Sequence, residues 1–69
     1  MKIHYIAMVP NYWGRGPTPE EAKKTLKRHS GKLKGCVVFR VSSPSEFEPF
    51  VDELGRIVHA LDATVERLG

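Results

Sequence analysis

Residues 47–68 read FEPFVDELGRIVHALDATVERL, and the fold of the rest depends on how they are read. Phe47, Val51, Leu54, Val58, Leu61, Val65 and Leu68 recur at intervals of four and three, the alternation that keeps one seam of a helix apolar. Phe50 and Ile57 widen the stripe. Ser43 with Glu46, or Ser45 with Glu48, supplies a capping start, and Pro49 fits only near the N-terminal end. Gly55 in the middle costs ~1 kcal/mol relative to alanine. The spacing predicts one continuous amphipathic helix from about Pro49 to Leu68, roughly 30 Å long. The other reading is a hairpin turning at Glu53, Leu54 and Gly55, because glycine after polar residues between apolar runs is a turn signal. The length of the seam favours the helix.

Upstream, CVVFRV over 36–41 is β-branched and aromatic, as a strand requires, and SSPS ends it. KIHYIAMV over 2–9 is apolar at almost every position, as in a strand covered on both sides, and Pro10 ends it. Between them NYWGRGP reads as a loop. Thr18 then stands as N-cap, Pro19 at the first helical position and Glu21 three after the cap, predicting a helix to about Ser30 that Gly31 closes in the left-handed conformation. At ~100° per residue Ala22, Thr25, Leu26 and His29 share one side of this helix, while Lys23, Lys24, Lys27 and Arg28 share the other. Lys32 and Lys34 extend the positive charge beyond it.

The expectation is a single α/β domain over residues 1–69, in the order strand, helix, strand, helix, with a short parallel sheet covered by two helices. Ile3, Tyr5, Ala7, Val9, Val37, Phe39 and Val41 would face the helices. His4, Ile6, Met8, Cys36, Val38 and Arg40 would form an apolar back with no cover, which predicts a homodimer.

A chain of 69 residues with one cysteine, Cys36, has a small core and no internal disulfide. The apolar run 3–9 contains His4 and lacks a cleavage pattern, and no segment reaches the ~20 apolar residues of a membrane span, so the expected location is the cytoplasm. The net charge is +3, unevenly spread: residues 1–41 hold nine Lys or Arg against Glu20 and Glu21, whereas 42–69 hold six acids against Arg56 and Arg67. Such asymmetry implies an acidic partner for the basic half, or attraction between the halves.

No nucleophile with a base, no carboxylate pair and no short-range metal-ligand spacing is present, so the expectation is a non-enzyme with no cofactor; His4, Cys36 and His59 are zinc-compatible in type only. WGRG lacks the Lys-Ser or Lys-Thr of a Walker loop and the three glycines of a dinucleotide fingerprint. The amides at the start of the first helix, beside Arg15, could hold an anion, but Glu20 and Glu21 occupy the same place. A strand, a proline and then GRGPTPEEAKKTLK resembles the stretch of HicB-type antitoxins in which a strand leads into a G-x-T-x-E-E-A helix start. The likeness covers residues 3–28, lacks that family's preceding hairpin, and transfers no function.

Tyr12, Trp13 and Arg15 beside Lys23, Lys24, Lys27, Arg28, Lys32 and Lys34 therefore form the expected binding site. Aromatics and arginine anchor protein interfaces, which makes an acidic protein surface the leading partner, with this chain as inhibitor or adaptor. The same residues could stack bases and follow phosphates, so nucleic acid is the alternative. A purely structural oligomer is the third reading.

Overall fold

In the computed structural model, which describes residues 1–69, the chain forms β1 (Lys2–Val9), β2 (Tyr12–Gly16), α1 (Pro19–Ser30), β3 (Val37–Ser43), β4 (Phe50–Val51), β5 (Ile57–Val58) and β6 (Thr64–Arg67). Strands take 41% of the residues and the single helix 17%, so the expected strand-helix-strand-helix domain is replaced by a mostly antiparallel sheet carrying one helix. The main sheet runs β2-β1-β3-β6 with every pair antiparallel, and β4 and β5 form a separate hairpin.

The long C-terminal helix is overturned by local hydrogen bonding. Asp52 turns the chain: its N–H donates to the Arg56 carbonyl at 2.9 Å, and its own carbonyl accepts from Gly55 N at 3.0 Å. Its carboxylate accepts from Leu54 N at 3.0 Å, Arg56 N at 2.9 Å and the Arg56 guanidinium at 3.2 Å. Gly55, at φ 81°, supplies the left-handed residue that a three-residue hairpin loop needs. A second turn follows, with Ala63 N donating to the Ala60 carbonyl at 3.0 Å. The seam of the imagined helix is thereby scattered. Leu54 and Leu61 sit in turns at 72% and 105% exposure, Leu68 is 46% exposed, and Phe47 and Val65 are exposed too.

A second hairpin replaces the expected loop at 11–17. Pro10 does not stop the sheet; Pro10 and Asn11 form a two-residue connection that returns the chain as β2, with Val9 opposite Tyr12 and Tyr5 opposite Gly16. Asn11 has φ 73°. Proline followed by a residue of positive φ is the order of a type II turn, in which Asn is tolerated.

Antiparallel pairing also resets the faces. Ala7 lies opposite Val38 and Ile6 opposite Phe39, so even positions of β3 join odd positions of β1 under the helix. The core there is Ala7, Ala22, Leu26 and Val38, edged by Tyr5, Val9, Leu33 and Cys36. Cys36, Val38 and Arg40 therefore leave the expected back, and Val37, Phe39 and Val41 join Ile6 and Met8 on it. That back is not bare. Residues 44–51 cross it as a strap that buries Pro49, and Ile6, Val41 and Ser43 are almost wholly enclosed. The uncovered apolar face that motivated a homodimer is thus largely occupied by the chain itself.

Candidate functional site

The glycines of WGRG serve packing. Gly14 and Gly16 alternate along β2 and lie against the first two turns of α1. A Cβ on Gly14 would fall 2.6 Å from the Ala22 carbonyl oxygen and closer still to the Leu26 amide nitrogen; one on Gly16 would fall 2.7 Å from the Glu21 Cβ. Backbone meets backbone, with only Ala22 and Leu26 filling the seam. His29 completes the junction, its Nδ1 lying 3.2 Å from the Trp13 carbonyl on the outer edge of β2.

The helix itself follows its sequence signals. Thr18 caps it in extended conformation, its hydroxyl oxygen accepting from Glu21 N at 3.1 Å, and Gly31, at φ 76°, closes it by donating to the Lys27 carbonyl. With Ala22 and Leu26 buried below, Lys23, Lys24, Lys27 and Arg28 are all exposed above. Lys32 and Lys34 are exposed just beyond the helix.

Ion pairing sorts the charges. Lys2 pairs with Glu46 at 3.6 Å, Arg15 with Glu48 at 3.6 Å and Arg56 with Asp52 at 3.2 Å, and Arg40 pairs with Glu66. Three of these four join the basic half of the sequence to the acidic half. The remaining cations are the six from Lys23 to Lys34, together with Arg67. Attraction between the halves thus leaves the helix cluster untouched, accompanied only by Glu20 and Glu21 in its first turn.

Tyr12, Trp13 and Arg15, expected to stand in a loop beside these lysines, are strand residues divided between two faces. Tyr12 shares the helix face with Val9 and is exposed. Trp13 shares the opposite face with Met8 and borders a cleft beneath the β4–β5 hairpin. Arg15, on that same face, donates to the Pro49 carbonyl at 2.6 Å and ties down the strap. It does not accompany the helix start, so the anion reading there loses its cation.

His4 also lies under the strap. Its Nδ1 is buried without a partner. Desolvation, reinforced by the positive charges of Arg15 and Lys2 and opposed by Glu48, holds its pKa below the ordinary 6.5. Cys36 faces the other side of the sheet and His59 contacts the Ala60 carbonyl at 2.8 Å, so the three zinc-compatible residues do not converge. No helix is long and apolar enough to cross a membrane. Sequence reasoning missed that Phe39, Leu54 and Arg67 line this cleft with Trp13; the visible signal was the Asp-Glu-Leu-Gly turn, which places Leu54 there. Compared with protein-family profiles, characterised proteins and solved structures, the chain matches none, and its functional reading rests on this geometry.

Proposed function

We propose that this chain is a non-enzymatic binding protein of the cytoplasm that docks on an acidic partner protein through the exposed face of α1 and the Lys32–Lys34 turn. One observation carries the reading: intramolecular ion pairs use four of the five cations elsewhere but none of the six between Lys23 and Lys34. A basic patch on a rigid helix, with none of its charges drawn into an intramolecular pair, steers and orients an acidic surface. The helix is fixed from below by the glycine contacts, so little ordering is needed on docking. Separation of Trp13 from the lysines supports a protein over nucleic acid, since a stacking platform beside a phosphate track is the arrangement single strands require.

The test uses the charge-reversal variant Lys24→Glu, Lys27→Glu, Arg28→Glu. A partner cross-linked to the wild-type chain in cells is purified and its affinity measured directly for both forms. The variant is expected to bind at least ~30-fold more weakly, mostly through a slower on-rate that converges with wild type at high salt. Trp13→Ala is expected to bind like wild type. Equal affinity of the charge-reversal variant sinks the proposal. Steep, log-linear salt dependence of binding to generic duplex DNA or RNA, with no protein recovered, transfers the face to nucleic acid instead.

A further inference from the structure

On the layer opposite the lysines, the β4–β5 hairpin stands off the sheet and leaves a cleft of about 690 Å³. That is within the range of roughly 300–1,000 Å³ typical of small-molecule sites. Its floor is the back of the sheet, with half-buried Met8, Trp13, Val37 and Phe39; Val51 and Leu54 of the hairpin form its roof. Four of these six stand on three paired strands, so the floor is formed before any ligand arrives.

The polar groups around it are not equivalent. Asp52 spends its carboxylate on the Leu54 and Arg56 amides and on the Arg56 guanidinium. Glu53 occupies the solvent-exposed turn. Arg67 is in register with Phe39, so its guanidinium shares the floor, and it makes neither an ion pair nor a side-chain hydrogen bond. It is the only cation lining the cleft. The site therefore offers an apolar slot with one uncommitted planar fork donor at its side, a group whose geometry matches a carboxylate.

We propose that this cleft binds a small molecule with a flat apolar body and a single carboxylate, the body lying against Trp13 and Phe39 under Leu54 and the carboxylate engaging Arg67. This site is independent of the α1 surface, and either can exist without the other.

The chain's single tryptophan borders the cleft and reports on it. Naphthalene-2-carboxylate, its neutral carboxamide and naphthalen-2-ylmethylammonium are titrated against the full chain. Binding is read from the Trp13 indole N–H resonance and from the amides of Val37, Phe39 and Leu54. The carboxylate is expected to shift these signals saturably and to bind roughly ten- to a hundredfold more tightly than the amide, the ammonium more weakly still. Arg67→Gln is expected to erase the preference for carboxylate while leaving the amide's affinity unchanged, and Leu54→Asp to weaken all three. Each variant's amide spectrum away from the cleft establishes that the fold is retained. Absence of any Trp13 shift up to about 1 mM probe overturns the proposal. So does equal affinity for carboxylate and ammonium, or an Arg67→Gln variant that keeps the wild-type preference.

Discussion

Gly14 is where helix and sheet touch without side chains between them, and it gives the sharpest mutational expectation. Gly14→Ala forces a methyl group into the Ala22 carbonyl and the Leu26 amide, neither of which can move without unwinding α1. The cost is expected to be about 3 kcal/mol, at the upper end of overpacking, read from urea unfolding followed by Trp13 emission. Gly31→Ala meets no neighbouring atom and strains only a left-handed φ, so its loss is expected near 1 kcal/mol. His4 sets a pH dependence. Its folded-state pKa lies below the ordinary 6.5, so the unfolded chain takes up the proton first as the solution is acidified. Its stabilisation is present above pH 6.5 and is lost as the pH falls toward the lower folded value. Urea midpoints are expected to drop as the pH falls below the ordinary histidine value, and His4→Leu to remove that part of the slope. These roles were only half visible in the sequence. WGRG stood out as two glycines around an arginine, but nothing local says that the glycines face a helix formed later in the chain.

Among elements, α1 was legible and the C-terminal third was not, and the contrast has a physical cause. A helix start is written within four residues, Thr18 to Glu21, and its end in one, Gly31. The 4-3 spacing of Phe47 to Leu68 matches a helix, but apolar residues recurring every three or four positions also arise when short strands alternate with tight turns. Asp52 and Gly55 decided between the two, because side-chain capping and a left-handed glycine stabilise the turn where a helix would only tolerate them. The Asp52 pKa is held below its ordinary value, chiefly by the Arg56 amide. The hairpin is therefore expected to keep its order down to the ordinary carboxylate range and to lose it as the pH falls through the folded value. Amide shifts of Leu54 and Arg56 in an acid titration follow this. The strap at 44–51 depends on Arg15. Arg15→Ala is expected to cost ~1–2 kcal/mol and to raise hydrogen exchange in residues 44–51 while α1 keeps its protection.

At the scale of the whole molecule, two layers of unlike character share one sheet: a cationic helix on one side, a strap and hairpin over an apolar cleft on the other. Only nine of 69 residues are buried, so total stability is expected at about 3–5 kcal/mol. Gly14→Ala alone, at about 3 kcal/mol, is then expected to leave a measurable fraction of the chain unfolded at 25 °C, as seen by loss of amide dispersion. The pairing order β2-β1-β3-β6 also ranks the strands. β1 and β3 each have neighbours on both sides, whereas β6 is bonded along one side and all four of its residues are exposed. The sheet therefore has a seam that opens first. Thermal breathing peels β6 away from Phe39 and Val41, and for that instant an unfilled row of backbone donors and acceptors on β3 can accept any extended segment that arrives, including one from a neighbouring molecule.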